Sequence, residues 1–208
     1  MKRIFLFAIL LMASYALMAQ PKSNSFFAGG SLSISGGKDK IKDGGSSTVN
    51  SSYTFFNLNP KVGYFLSDKL AVGVQTEGAI RVTKFPNNTN HTKSTYTGFD
   101  FSPYLRYYII NQKFGLFGEA SMGFGISTYK DFYQYSSTVK TTGQGFSMGV
   151  SPGIYYSISD HIMLESMLGW IGFDSSTQKY DDGSRDVNSS FGLELNSSTI
   201  SFGFNWVF

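Results

Sequence analysis

Catalysis and metal binding need particular side chains within reach of one another, and this 208-residue sequence offers few. Cysteine is absent, which removes disulfides, thiolate metal sites and a cysteine nucleophile. The two histidines are His91 and His161. His91 has a hydroxyl nearby in Ser94, a base and a nucleophile in name only. A working pair also needs an orienting group, and serine is abundant here. Gly29-Gly30 and Gly36-Gly37 are not phosphate loops, because no helical pattern follows them. What remains is a scattered polar set: Lys61, Glu77, Arg81, Asp100, Tyr104, Arg106, Glu119, Tyr155 and Glu165. Its chemistry is charge pairing, not turnover. No catalytic residue, cofactor or metal site is expected.

The elements that carry this set alternate with period two. From Leu70 to Lys84, Leu70, Val72, Val74, Ile80 and Val82 fall on one face, with Gln75, Glu77, Arg81 and Thr83 on the other. Alternation that long predicts a strand longer than the usual five or six residues. The same pattern predicts strands over Phe26–Gly37, Tyr53–Leu66, Thr95–Ile109, Phe114–Thr128 and Gly143–Ile158. Ile162–Phe173 is less regular: Leu164, Leu168 and Trp170 oppose Glu165, while Met163, Met167 and Ile171 share its face. In the last strand, Phe191 to Leu195 is apolar on one parity and Ile200 to Phe208 on the other. A bulge near Asn196 would reconcile them.

These segments make eight strands. Tight turns are expected at Ser67–Lys69, Ile110–Lys113 and Ser159–His161. Longer polar loops are expected over Lys38–Ser52, Phe85–Ser94, Tyr129–Thr142 and Asp174–Ser190. Short turns at one end and long loops at the other are the layout of a bacterial outer-membrane barrel. An even strand count then puts both chain ends on the short-turn, periplasmic side.

Composition agrees. Charged residues are 15% and aromatic residues 17%, with 23 glycines. That excludes disorder, which needs the reverse balance, and disfavours a helical bundle. At the N-terminus, Lys2 and Arg3 precede an apolar run from Ile4 to Ala13 and small residues ending at Ala19. This reads as a signal peptide over residues 1–19, leaving a barrel domain over 20–208. The apolar run is short for a ~30 Å hydrocarbon layer. Loss of Lys2 and Arg3 brings the net charge from +3 to +1, so nothing points to nucleic acid.

Three features turn the apolar face outward rather than into a soluble barrel's core. The polar face lacks the Lys/Glu-rich surface that water would require. Aromatics gather near the turns, at Tyr64, Phe65, Tyr107, Tyr108, Phe114, Tyr155 and Tyr156, as an interfacial girdle would. The sequence closes at Phe208 with aromatics at alternate positions. Hydrocarbon offers no hydrogen bonds, so the sheet must close, and eight strands leave an interior that side chains fill. The nine polar residues are then a lumen network. If the turns set the register, Lys61 faces Gln75 with Glu77 diagonal, Tyr104 faces Glu119 with Arg106 diagonal, and Tyr155 faces Glu165.

With its signal peptide, eight alternating strands and closing Phe202-Gly203-Phe204-Asn205-Trp206-Val207-Phe208, the chain resembles small outer-membrane β-barrel proteins of the OmpA/OmpX and opacity-porin type. It also resembles the outer membrane protein beta-barrel domain proteins, PorT-like chains among them. The resemblance covers the mature chain and rests on pattern. It implies an all-β, eight-stranded antiparallel up-and-down transmembrane barrel in the outer membrane. Partners would be outer-membrane lipid, including lipopolysaccharide, and the barrel-assembly machinery. Phe204, Trp206 and Phe208 correspond to that machinery's terminal signal. Some eight-stranded barrels modify lipid A through a His–Ser pair with an acidic partner, and His91 with Ser94 is the candidate here. A non-enzymatic envelope or surface-recognition role, through four loops that meet a protein or glycan, is the leading expectation. A narrow porin-like channel or secretion accessory is the alternative.

Overall fold

The computed structural model describes residues 23–43, 46–88, 90–135, 138–194 and 201–208. The expected signal peptide and the expected bulge near Asn196 lie outside the described residues. All regular structure among them is β. The strands are β1 (Phe26–Asp43), β2 (Ser46–Ser67), β3 (Leu70–Lys84), β4 (His91–Tyr108), β5 (Phe114–Tyr133), β6 (Val139–Ser157), β7 (Ile162–Met167), β8 (Trp170–Lys179), β9 (Arg185–Glu194) and β10 (Ser201–Val207).

Sequential strands pair antiparallel from β1 to β7; β7 then pairs with β10, and β10 with β1. The sheet is therefore closed. β8 continues the wall of β7 along β6, and β9 pairs with β8 as the upper part of the wall that ends in β10. The ten segments thus build an eight-stranded barrel. The closing seam runs from Phe27 opposite Val207 to Gly30 opposite Phe204. Over these four residues the seam pairs backbone groups that hydrocarbon would otherwise leave unsatisfied, which would be destabilising.

Burial is inverted relative to a water-soluble protein. Ile34 is 69% exposed and Phe26 62%, while Arg106 is 0% and Glu119 3% exposed. The residues of the expected apolar face point outward on β1 to β6.

Three expectations from pattern are corrected. The long loops are mostly strand. β1 and β2 remain paired through Lys38 opposite Ser52 and beyond, and β8 and β9 pair from Trp170–Glu194 to Lys179–Arg185. β5 likewise runs to Tyr133, and β6 starts at Val139. Above the lipid both faces meet water, so alternation fades although the backbone ladder continues. Second, the chain changes phase at Leu168-Gly169, between β7 and β8. Met163, Glu165 and Met167 face the lumen, and so does Trp170, whereas Ile171 faces out. Glycine makes the room: a Cβ on Gly149 would lie 2.5 Å from Trp170 Nε1. Third, the girdle is split. Tyr64, Tyr107, Phe114 and Tyr156 face outward, but Phe65, Tyr108 and Tyr155 are at most 1% exposed and point inward.

Those inward rings join Phe27 and Phe117 in a packed floor near the short-turn end. Tyr108 meets Phe65 at 5.5 Å, Phe117 at 5.9 Å and Tyr155 at 5.3 Å between centroids. Gly63 leaves space for this floor: its Cβ would lie 2.7 Å from Tyr104 Oη and against the Phe27 ring. The floor fills the lumen from wall to wall at one end, and the ionic groups stand on it.

Candidate functional site

Each charged side chain of the lumen is aimed by strand parity. Lys61 comes from β2, Arg106 from β4, Glu119 from β5 and Glu165 from β7. Arg106 lies directly opposite Glu119, and its Nε and Nη2 donate to Glu119 Oε2 at 2.9 and 2.6 Å. Its Nη1 crosses the lumen to Glu165 Oε2 at 2.5 Å. Lys61 Nζ donates to Glu165 Oε1 at 2.8 Å and stands 3.7 Å from Glu119 Oε2. Two cations and two carboxylates thus form one neutral quartet. It ties together walls that are not neighbours in the sheet, since β2 and β7 are separated by β1 and β10. The Arg106 guanidinium also lies 4.1 Å from the Phe117 ring centroid, which seats the quartet on the aromatic floor.

The other expected network residues lie around it. Tyr104 donates its hydroxyl to the Val62 carbonyl at 3.2 Å, with its ring 5.3 Å from Lys61 Nζ. It sits opposite Ser121, not Glu119, because the β4–β5 register is two residues longer than symmetry about the Ile110–Lys113 turn predicts. Tyr155 does lie opposite Glu165, but its hydroxyl serves the turn, donating toward the Ile110 carbonyl and Asn111 Oδ1 at 3.2 and 3.0 Å. Gln112 N donates back to it at 3.1 Å. Glu77 accepts from Asn57 Nδ2 at 2.5 Å and lies opposite Asp100. The Arg81 guanidinium rests 4.9 Å from the Phe55 ring and 5.8 Å from the Tyr53 ring. Among the described residues no ion pair joins Glu77, Arg81 or Asp100 to the quartet.

Pattern reading missed Asn57, Phe27, Phe117 and the inward Phe65 and Tyr108. The signal was present: Phe65 shares the parity of Lys61, Tyr108 that of Arg106, and Phe117 that of Glu119. A ring near a turn marks the lipid interface only when its parity is the outward one.

Above the quartet lies a cavity of about 300 Å³, lined by Gln75, Glu77, Asp100, Ser102, Ser147 and Trp170 among others. Lys61, Glu119 and Glu165 form part of its lower wall.

At the long-strand end the structure brings His91 and Ser94 together with Asp131. Ser94 Oγ lies 3.0 Å and Asp131 Oδ1 3.2 Å from His91 Nε2, and Ser94 also donates to Asp131. The imidazole is stacked between Phe85 at 4.5 Å and Tyr133 at 5.0 Å. Serine, histidine and acid are all present, but the wiring differs from a hydrolytic triad. There the acid holds one ring nitrogen and the serine gives its proton to the other. Here both contact Nε2, and the hydroxyl is already bonded to the carboxylate. The cluster clips β4 to β5.

At the nearby β8–β9 turn, hydroxyl and backbone donors from Ser184 hold the Asp182 carboxyl below its ordinary range. His161, at the other end, donates from Nδ1 to the Val207 carbonyl at 2.9 Å and stacks on Trp206 at 5.8 Å. Phe204, Trp206 and Phe208 all face outward, and Phe208 N donates to the Phe26 carbonyl at 2.8 Å across the seam.

Comparison with known proteins agrees with this geometry. Residues 5–208 match the family model described as the outer membrane protein beta-barrel domain. The chain belongs to that family. Outer membrane protein beta-barrel domain proteins are integral to the outer membrane, which accounts for an exposed apolar wall around a charged interior. Similar solved structures include two at low identity. The outer membrane protein OprG from Pseudomonas aeruginosa is 14% identical with a TM-score of 0.49, over 90% of this chain and 97% of that one. Ail, the attachment invasion locus protein of Yersinia pestis, is 15% identical with a TM-score of 0.41, over 90% and 100%. No curated protein matches the chain in sequence.

Proposed function

We infer that this barrel is a non-enzymatic, non-conducting outer-membrane anchor that holds its long-strand end outside the cell. The observation that carries the reading is the floor. The neutral quartet and the rings beneath it fill the lumen from wall to wall, with Arg106, Phe65 and Tyr108 each 0% exposed. The cavity of about 300 Å³ above is therefore a blind cup, not a passage. Water and ions crossing the barrel would have to displace four mutually bonded charges. Removing one partner of such a set leaves an uncompensated buried charge, which is strongly unfavourable.

The wiring of His91, Ser94 and Asp131 supports a structural clip over hydrolysis. Short turns at one end and extended strands at the other support a periplasmic position for the turns and for both chain ends. The extended strands would then serve envelope integrity or meet a protein or glycan. The test is electrical. The full chain, folded into planar bilayers, is expected to give no steady unitary current in molar salt. A stable open level in the wild-type protein would refute the plugged reading and favour the narrow channel.

A further inference from the structure

The outer face of the upper barrel carries a charge pattern that the plugged-anchor reading does not use. Lys84 on β3 lies directly opposite Lys93 on β4. Lys130 on β5 lies directly opposite Lys140 on β6. Lys179 on β8 lies directly opposite Arg185 on β9. Like charges in facing positions of an antiparallel pair repel and are destabilising. Here three such pairs occur in succession. They are also joined diagonally: Lys93 faces Phe132, two residues from Lys130, and Thr142 faces Lys179, two residues from Lys140. The six cations therefore form one ribbon across six strand segments.

All six share the outward parity of the lipid-facing residues. Lys84 follows Val82, Lys130 follows Ile126 and Thr128, and Lys179 follows Phe173, Ser175 and Thr177. By contrast, every carboxylate carried by β3 to β9, from Glu77 to Glu194, lies on the lumen parity. The outer wall of these strands thus bears positive charge only. Among the described residues none of the six makes an ion pair. Lys93 Nζ lies 5.3 Å from the Phe132 ring, and the Lys140 backbone N–H donates to Asp181 Oδ2 in the β8–β9 turn at 2.8 Å.

Vertical order matters as much as sign. On β4, β5, β6 and β8 the outward residues pass from apolar to hydroxyl or amide and then to cation. The β6 series is Phe146, Gln144, Thr142, Lys140, and the β4 series is Phe99, Thr97, Thr95, Lys93. A lipid presents the matching order from its middle outward: acyl chain, ester or sugar, then phosphate. Lysine stems can also bend toward that layer. An anion seated between facing lysines would convert each repulsive pair into an attractive one.

We propose that the ribbon Lys84–Lys93–Lys130–Lys140–Lys179–Arg185 binds the phosphate groups of anionic glycolipid in the outer leaflet. The leaflet assignment rests on the orientation inferred above; the phosphate chemistry does not. Binding gathers a shell of charged lipid around one side of the barrel and cancels a repulsion built into its wall.

The test uses the full chain in neutral phosphatidylcholine nanodiscs doped with lipid A carrying two phosphates or with its dephosphorylated form. Retained lipid is counted by native mass spectrometry. The wild type is expected to retain the bisphosphorylated form at least about tenfold better than the dephosphorylated one, with the preference falling as salt rises. The variant Lys130→Gln/Lys140→Gln/Lys179→Gln/Arg185→Gln should lose that preference. Lys130→Arg/Lys140→Arg/Lys179→Arg should keep it. Heat-dependent gel mobility identifies folded material in every case. Equal retention of the two lipids by the wild type, or an undiminished preference in the Gln variant, overturns the phosphate site. Separately, Asp182→Cys is labelled in intact cells with an impermeant maleimide. Labelling supports the outer leaflet. Phosphate binding without labelling overturns that leaflet assignment while leaving the ribbon's chemistry standing.

Discussion

Arg106→Met removes the central strut of the lumen while filling most of its volume. Arg106 donates three hydrogen bonds to carboxylate oxygens and is 0% exposed. Without it, Lys61 alone faces both Glu119 and Glu165. Each charge-assisted bond contributes on the order of 1.5–3 kcal/mol, but the variant also escapes the desolvation of a buried guanidinium. The net loss expected for breaking a buried ionic set by one partner is therefore about 3–5 kcal/mol. Charge can be rebalanced. Arg106→Met/Glu165→Gln leaves Lys61 with Glu119, which already stand 3.7 Å apart. The double variant should recover roughly 2 kcal/mol relative to the sum of the two single losses, as residues sharing one network do. The assay is urea unfolding from lipid vesicles, followed by gel mobility and tryptophan fluorescence. A single variant within about 0.5 kcal/mol of wild type would refute the strut argument. Strict additivity of the two substitutions would do the same.

Two further outcomes are expected. The peptide covering residues 174–190 should show slow amide exchange over its paired portion, because β8 and β9 form a ladder up to Lys179 opposite Arg185; exchange at random-coil rates throughout would contradict the extended strands. Phe208→Ala should reduce assembled barrel in cells while leaving folding into pure lipid vesicles unchanged, if the terminal aromatics are read by assembly machinery. An equal loss in both settings would assign Phe208 a purely structural role.

The barrel was legible because lipid on one side and a small lumen on the other impose strict alternation. From Leu70 to Lys84, the outward Val72, Val74 and Val82 and the inward Glu77 and Arg81 follow it without a break. Legibility ended where that contrast ended. Lys38–Ser52 and Asp174–Ser190 read as loops because neither face of the ladder meets hydrocarbon there. The β7–β8 wall was ambiguous for a different reason. A phase change at Leu168-Gly169 moves Trp170 to the lumen, and the space left by Gly149 and Gly172 admits the indole. The structure puts the polar set on the lumen parity, but its partners do not follow from local spacing. Tight-turn symmetry puts Lys61 opposite Gln75, as the structure does, yet its bonds run across the lumen to Glu165. Such contacts depend on barrel closure, which brings non-neighbouring walls together and leaves no trace in local spacing. The outer ribbon is hidden for a related reason: apart from Lys84, its cations sit in segments that read as loops.

The inside-out arrangement is tested most directly by the two tryptophans, which lie on opposite faces of the wall. Trp170→Phe leaves Trp206, which faces outward, and Trp206→Phe leaves Trp170, which lines the lumen cavity. Each variant is folded into vesicles whose acyl chains carry bromine near the headgroup end. Strong quenching of Trp206 and little quenching of Trp170 is the predicted result. Quenching of Trp170 equal to or greater than that of Trp206 would mean that the wall is turned the other way.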